Sequence, residues 1–269
     1  MSSWLQGPIR KVKQNPILKV KHNNSGFFSC CSVQLHLIIE YFNKFKQLPE
    51  AVDASEQFDW YRPGNMETYF QTLPTNIRYG RRIDFEHFHQ YIDYMKLDYK
   101  GIKLFIAKYF TPSEEIQGLV KGLEAKYELP YENLCVLFYR GNDKVTETPV
   151  SPYSDYIERA KKLLIAKPDL VFLVQSDETE FIDAMVSEFP GKTVVFRDEI
   201  RHIPKSLTTV DKVFKADNFF YSKYYLAITI IMSKCAYIIC GSGNCSFWIA
   251  LFRGNADGMQ QFLKTSWIQ

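Results

Sequence analysis

The amino-acid sequence predicts an α/β protein built on parallel sheets, and two observations support that fold class. In the second half of the chain, short apolar runs alternate regularly with segments of helical periodicity. Strands that are apolar throughout and separated by helices are typical of a parallel sheet covered on both faces. In the first half, a strand, a glycine-bearing loop, a helix and a second strand follow one another, which is one unit of the same architecture.

The first half is predicted from hydrophobic periodicity and from turn and cap signals. Its predicted elements are a strand at 16–21, a polar turn at 23–26, a helix at 30–45, a strand at 48–52 and a helix at 84–99. Thr111 as a cap, Pro112 at the first helical position and Glu114 three residues after the cap indicate a further helix. That helix is expected to end near Tyr127, before Pro130.

The second half is predicted from four apolar runs and the helical segments between them. Strands are expected at 133–139, 170–174, 193–196 and 236–240, and helices at 152–166, 178–189, 221–234 and 245–252. The proline-bounded end of the preceding helix suggests a domain boundary. We therefore predict an N-terminal domain at 1–130 and a C-terminal domain at 131–269.

Composition excludes several classes of protein. The chain has 269 residues, 46% of them hydrophobic and 23% charged, and its net charge of +3 is too small to indicate a nucleic-acid partner. It has no run of 18 apolar residues and no apolar leader, so neither a transmembrane segment nor a secretory signal is expected. The six cysteines lack metal-site spacing, which favours reduced thiols and a cytoplasmic setting.

The loop Arg140-Gly141-Asn142-Asp143-Lys144 follows an apolar strand. Open α/β sheets bind ligands at the carboxyl ends of their strands, which is where this loop would lie. Arg140 is the predicted diphosphate ligand, and Asp143 is expected to pair with Arg140 or Lys144 and so fix its orientation. An ordinary charged turn is the alternative.

A second loop at 241–246 also joins an apolar strand to a helix, and small residues there allow a ligand close to the backbone. The residues of this loop that are predicted to bind a phosphate-bearing ligand are Gly241, Ser242, Gly243, Asn244, Cys245 and Ser246. Ser242, Asn244 or Ser246 could cap the following helix, whose positive end suits a phosphate. The loop is not a complete dinucleotide-binding fingerprint, and a plain tight turn is the alternative.

Two other strand ends are weaker candidates. Gln175, Ser176 and Asp177 could reach a base or ribose, or Ser176 or Asp177 could only cap the next helix. Residues 26–29 follow the first strand and are expected to face a ligand cleft, and a structural glycine turn is the alternative. The histidines form no metal set, and the metal-binding aspartate pair of many sugar transferases is absent, so no metal or cofactor is predicted.

Several segments together resemble the superfamily of α1,6-fucosyltransferases, nodulation fucosyltransferases and protein O-fucosyltransferases. The segments that carry the resemblance are NNSGFFSCCSVQLHLIIEYF, KYFTPSEEIQ, FYRGNDKVTETPVSPYSDYI, VFLVQSDETEFIDAMVSEFP and the Ser/Asn loop at 241–246. The likeness is sparse but covers roughly the whole chain, and its order and spacing are more specific than any single motif.

The resemblance implies a GT-B-like fold, with two Rossmann-like parallel-sheet domains facing a cleft, and a metal-independent, inverting sugar transfer to an oligosaccharide or glycoprotein. It also implies that the domain at 1–130 lies on the acceptor side and that the domain at 131–269 binds the nucleotide-sugar donor. Carried over position by position, Arg140 would hold the β-phosphate with Asp143 and Lys144 beside it. Glu147 would be the base that activates the acceptor, and Asp177 and the loop around Asn244 would border the nucleotide. The cleft would also be lined by Gly26, Phe27, Phe28 and Asp59.

Two departures from the superfamily pattern leave the donor open. Phe138 stands where the superfamily has histidine, and Ala227 stands where an aspartate would read the guanine edge. Without that carboxylate the main reason to prefer GDP is lost. GDP-fucose is therefore expected by resemblance, with a UDP-sugar such as UDP-xylose as the alternative.

The base and the reaction class also keep alternatives. Glu147 is the first candidate base, with Asp59 or Asp177 behind it. The rival functions are another nucleotide-sugar-modifying enzyme, or a non-catalytic nucleotide- or sugar-binding module of a polysaccharide assembly system. A glycosylation system in the cytoplasm of a bacterium or of a virus-infected cell would suit the composition.

Overall fold

The structure, a computed structural model, describes residues 17–21 and 25–263. The elements of its first half are β1 (Ile17–Lys19), α1 (Phe27–Phe45), β2 (Ala51–Asp53), the 3₁₀ helix η1 (Asp59–Tyr61), α2 (Met66–Tyr69), β3 (Phe70–Gln71), η2 (His87–Tyr91), η3 (Tyr94–Lys96), α3 (Tyr99–Tyr109), β4 (Thr111–Pro112) and α4 (Glu114–Tyr127). Pro16, Asn23 and Asn24, which belong to a predicted strand and turn, lie outside the described residues.

The second half contains the main sheet and its helices. Its elements are η4 (Tyr131–Asn133), β5 (Leu134–Tyr139), η5 (Asn142–Thr146), α5 (Tyr153–Ala166), β6 (Val171–Ser176), α6 (Thr179–Glu188), β7 (Thr193–Val194), α7 (Val210–Val213), η6 (Lys215–Asp217), α8 (Asn218–Lys234), β8 (Tyr237–Gly241), α9 (Asn244–Arg253) and β9 (Met259–Phe262). Most predicted boundaries of this half fall within a few residues of the observed ones.

The five strands of the main sheet are parallel and lie in the order β7-β6-β5-β8-β9. Leu137 at the centre pairs with Val174 on one side and with Ile239 on the other. Every residue of β5 is buried, which explains why this strand is apolar throughout. The predicted α/β class with a parallel, Rossmann-like sheet is confirmed.

The first half contributes a smaller unit. β1 and β2 form a parallel pair, with Leu18 opposite Val52, and α1 connects them. β3 and β4 form a short antiparallel pair. One apolar cluster includes residues of both halves. In it, Trp248 of α9 stacks on Phe28 of α1 at 6.0 Å between ring centroids. The division at residue 130 stays a prediction.

Two expectations about local structure were wrong, and one strand of the main sheet was not predicted. The predicted helix at 84–99 is two short 3₁₀ helices, η2 and η3. The Asp93 side chain accepts from the Met95 N–H at 3.0 Å and starts the second of them. The helix predicted to be capped by Thr111 is capped by Ser113, whose hydroxyl accepts from Ile116 N–H. Strand β9 was not predicted, because MQQF carries no apolar run.

Candidate active site

A cavity of about 840 Å³ lies where the strand order of the main sheet reverses. β5 is followed along the chain by β6 on one side, whereas β8 lies on its other side. The carboxyl ends of two strands with such opposite connections leave a crevice that binds ligands in doubly wound proteins. Arg140 follows β5 and Gly241 ends β8, and both residues line the cavity. The sheet therefore brings the two loops of main interest together.

Arg140 is held by two carboxylates. Its Nε donates to Asp177 Oδ2 at 2.9 Å, and its Nη2 donates to Asp143 Oδ1 at 3.1 Å. The other Asp177 oxygen accepts from the Gly141 N–H at 3.0 Å. Burial opposes the charge of Arg140, but Asp177, Tyr225 and Asp143 outweigh it and raise the pKa of the guanidinium. Arg140 is thus a fixed cation at the cavity wall, paired with Asp143 as predicted.

Lys144 brings a second cation to the same wall. Its Nζ lies 2.6 Å from Glu147 Oε2 and 3.3 Å from the Tyr91 hydroxyl. A Cβ placed on Gly243 would lie 3.7 Å from this Nζ, so the ammonium group lies against the turn before α9. Burial lowers the pKa of Lys144, and Glu147 opposes that shift.

The N-terminus of α9 also lies at the cavity. Gly243 precedes the helix, and no described side chain caps it. The first N–H groups of an α-helix have no intrahelical acceptor, and the helix dipole makes this end positive. Because Gly243, Asn244, Cys245 and Ser246 line the cavity, those donors lie beside Lys144.

The predicted capping role of this loop was wrong, since its side chains bond elsewhere. Ser246 Oγ lies 2.6 Å from Gly241 O and 3.0 Å from the Tyr94 hydroxyl. Asn244 Oδ1 accepts from Ser32 Oγ of α1 at 2.8 Å. Ser242 Oγ accepts from Gln261 Nε2 of β9 at 2.9 Å. These bonds hold the turn in place. The helix end therefore offers a ligand its backbone N–H groups, which no described side chain caps.

Cys245 is a packed residue of the same helix end. It is 5% exposed, its Sγ lies 3.5 Å from Thr229 Oγ1, and burial raises the pKa of its thiol to about 11. A thiol is a nucleophile only as the thiolate, which such a pKa disfavours at neutral pH. Cys245 therefore contributes a packed side chain and a backbone N–H to the cavity wall, and not a nucleophile.

Gln175, Ser176 and Asp177 lie behind Arg140 and line a second, smaller cavity of about 50 Å³. The Asp177 carboxylate is committed to Arg140 and Gly141, so it orients the cation. Ser176 Oγ accepts from Glu178 N–H at 2.9 Å, which supports the turn into α6. Gln175 is 6% exposed.

The cleft residues predicted in the first half divide into two groups. Gly26, Phe27 and Phe28 line the large cavity at the start of α1. Asp59 is not among the described residues that line it. Its carboxylate lies 3.2 Å from Arg62 Nη2, and its neighbour Trp60 lines the cavity instead. η1 therefore brings an aromatic residue to the cleft.

Sequence reasoning missed Asp211, which lines both cavities. Its carboxylate pairs with Arg201 at 2.7 Å and accepts from the Tyr61 hydroxyl at 3.1 Å. Tyr61 is 150 residues away along the chain, so no local pattern could have indicated this contact. Glu147, the predicted base, also lines the cavity, with 31% of its side chain exposed.

No helix among the described residues is long and apolar enough to cross a membrane. Within residues 17–21 and 25–263, no group of three histidine, cysteine, aspartate or glutamate side chains could hold a metal ion.

Comparison with known proteins found no matching family model and no matching curated protein. Similar solved structures include the α-1,6-fucosyltransferase NodZ, at 12% identity and a TM-score of 0.38 over 58% of this chain and 47% of that one. A crystal structure of NodZ from Bradyrhizobium gives 10% identity and a TM-score of 0.37, with the same coverage. The apo form of POFUT1 gives 12% identity and a TM-score of 0.38 over 57% of this chain and 47% of that one.

These structures are fucosyltransferases, as the sequence resemblance predicts. This chain spans about half the length of the structures it matches.

Proposed function

We propose that this protein is a glycosyltransferase that moves a sugar from a nucleoside-diphosphate sugar to a glycan acceptor. One observation carries the proposal. The Arg140 guanidinium follows strand β5, the N-terminus of α9 follows strand β8, and both line the same cavity. A fixed cation beside a helix N-terminus is a favourable environment for a diphosphate.

The same groups suit the departure of a nucleoside diphosphate. Negative charge grows on the leaving oxygen as the bond to the sugar breaks, and preorganised donors stabilise it. Arg140 is held in place by Asp177 and Asp143, while Lys144 lies against the turn before α9. In this proposal these protein cations and the helix end stabilise the leaving group without a metal ion.

Glu147 is the proposed base. The acceptor hydroxyl attacks the anomeric carbon in line with the leaving diphosphate, which inverts that centre, and Glu147 takes the hydroxyl proton. Its carboxylate lines the cavity within 2.6 Å of Lys144 Nζ. Substrate phosphate would draw Lys144 toward itself and so release Glu147 for this role. We expect Glu147→Gln to lower kcat far more than donor affinity.

Two donors with different bases are proposed, GDP-fucose and a UDP-sugar such as UDP-xylose, and binding experiments decide between them. Ala227, at the position where the superfamily reads guanine, is fully buried. It is absent from the described linings of both cavities, so it supplies no hydrogen bond to a base.

A non-catalytic nucleotide- or sugar-binding module is the second candidate, and the Lys144–Glu147 ion pair favours it. A carboxylate oxygen 2.6 Å from an ammonium group is already engaged in a charge-assisted hydrogen bond and is not free to accept the proton of an acceptor hydroxyl. Nucleotide binding without transfer to any acceptor would select this alternative.

Thermal-shift measurements with GDP-, UDP- and CDP-sugars test the proposal. A ligand at about 100 times its Kd stabilises the folded state by about 2.7 kcal/mol. We expect one nucleotide class to raise Tm, and Arg140→Ala to reduce that shift strongly. The matched control is Arg62→Ala, because Arg62 is a partly exposed arginine paired with Asp59 away from the cavity. No shift with any nucleotide sugar would refute the proposal.

A further inference from the structure

Asp211 lies where the large and the small cavity meet. Both Asp211 and Arg140 line the two cavities, so they form part of the border between them. About a sixth of the Asp211 side chain, 17%, is exposed, which leaves its carboxylate within reach of a ligand in the large cavity. A carboxylate is therefore placed beside the cation that is proposed to hold the diphosphate.

The Asp211 carboxylate is held by two buried donors. Its Oδ1 accepts from Arg201 Nη2 at 2.7 Å, and its Oδ2 accepts from the Tyr61 hydroxyl at 3.1 Å. The Tyr61 hydroxyl in turn accepts from the Phe27 N–H at 2.8 Å, which fixes its position. An ionised carboxylate can accept about four hydrogen bonds, so these two donors leave capacity for a ligand. Asp211 is thus oriented before a ligand arrives and can still accept from one.

An oriented carboxylate at this place favours a ligand group with neighbouring hydroxyls. A carboxylate accepts hydrogen bonds but donates none, and its charge repels phosphate. The 2′- and 3′-hydroxyls of a ribose are two adjacent donors, and dinucleotide-binding folds hold ribose hydroxyls with an aspartate or a glutamate. The chemistry of Asp211 therefore suits the ribose of a nucleotide, and not its phosphates.

The surroundings of Asp211 match the order of groups in a nucleoside diphosphate, in which the ribose joins the diphosphate to the base. Three aromatic residues line the small cavity beside Asp211: Phe138, Tyr221 and Tyr225. Aromatic rings stack on the flat faces of bases. Because Asp211 borders both cavities, a ribose that links a diphosphate at Arg140 to a base at these rings would meet its carboxylate.

We infer that Asp211 binds the ribose of the donor nucleotide, accepts hydrogen bonds from its 2′- and 3′-hydroxyls, and so selects ribonucleotides over deoxyribonucleotides. The inference rests on the proposed function, which supplies the nucleoside diphosphate. The sequence favours residues 175–177 for contact with the ribose. In the structure, however, the Asp177 carboxylate is bonded to Arg140 and to the Gly141 N–H, which leaves Asp211 for this role.

Calorimetry with paired nucleotides tests the inference. UDP is compared with 2′-deoxy-UDP, and GDP with 2′-deoxy-GDP, on the wild-type protein. A hydrogen bond to a charged group is stronger than one between neutral groups, so we expect the deoxy form to bind about 10-fold more weakly or worse. Asp211→Asn keeps the shape of the side chain but loses the charge, and it should reduce this ratio to about threefold or less.

Asp98→Asn is the matched control. Asp98 has 16% of its side chain exposed, close to the 17% of Asp211, and it also pairs with an arginine, Arg81, at 2.6 Å. It is absent from the described linings of both cavities, so its variant should keep the wild-type ratio. If Asp211→Asn does not fold because Arg201 loses its partner, the same change combined with Arg201→Met removes both buried charges and takes its place.

The outcomes separate this inference from the proposed function. Equal affinity of the wild-type protein for the ribo and deoxy forms would overturn the ribose site and leave the proposed function standing. A ratio that is unchanged in Asp211→Asn would overturn it as well, since Asp211 would then act on binding only through the fold, and so would an equal fall in Asp98→Asn. If the wild-type protein bound no nucleotide of either kind, the proposed function would fail and the inference with it.

Discussion

The two walls of the large cavity differ in how their side chains are held. On the sheet side, Arg140 and Lys144 are bonded to carboxylates, so charges are fixed before any ligand arrives. On the side of η2 and α1, the lining residues include the uncharged Phe88 and Leu37, and Phe88 is 53% exposed. The difference indicates that the cationic wall of Arg140 and Lys144 stabilises negative charge, whereas the wall of η2 and α1 offers an uncharged surface.

Removal of Arg140 is expected to have the largest effect. Charge-assisted hydrogen bonds contribute about 1.5–3 kcal/mol, so Arg140→Ala should weaken nucleoside-diphosphate binding about 10- to 100-fold. Arg140→Lys should recover part of that loss, since it restores charge without the planar fork. Calorimetry on the purified variants checks this. Unchanged affinity in Arg140→Ala would show that the cationic wall does not hold the donor.

Alkaline pH provides the next test of the cationic wall. Burial lowers the pKa of Lys144 from its ordinary 10.5, so the ammonium group loses its proton at a lower pH than a free lysine does. Nucleotide affinity should therefore be retained at neutral pH and fall as pH rises through the lowered pKa. Lys144→Met should bind weakly at every pH and lose this step. A step that persists in that variant would assign the titration to another group.

The hydrogen bonds that join α1 to α9 can be broken at Ser32. Its hydroxyl donates to Asn244 Oδ1 at 2.8 Å and accepts from Trp248 Nε1 at 2.9 Å. Because Ser32→Ala leaves a buried indole N–H unpaired, it should lower the free energy of unfolding by about 1–3 kcal/mol. Urea denaturation measures this. Ser154→Ala, at an exposed position of α5, should change it by less than about 0.5 kcal/mol.

Added salt is expected to have the smallest effect, and to change the affinity for the nucleotide but not for the saccharide acceptor. Exposed charge interactions are screened over about 10 Å at 0.1 M ionic strength. Nucleotide affinity should fall severalfold as sodium chloride is raised, while saccharide affinity should stay constant. Parallel titrations of both ligands give the comparison. Equal salt dependence would mean that the walls do not divide the ligands by charge.

The sheet and its two polar loops could be predicted because they follow from local pattern. β5 and β8 are short apolar runs, and parallel strands bring their carboxyl ends to one edge. From that rule alone, Arg140 and Asn244 were expected at one cavity, where both lie.

The rest of the site depends on contacts between distant residues. Asp211 reaches the cavity through Arg201 and a tyrosine 150 positions away. Gln90 belongs to a segment that was predicted as one regular helix and that forms a short 3₁₀ helix instead. No periodicity in the sequence encodes either arrangement, because tertiary packing overrides local preference there.

A crystal structure with a bound nucleoside diphosphate would show whether Arg140 and α9 hold the same diphosphate. Phosphate oxygens are expected within about 2.7–3.2 Å of both the Arg140 guanidinium and the first N–H groups of α9. A diphosphate bound elsewhere, or contacting only one of these two elements, would contradict this expectation.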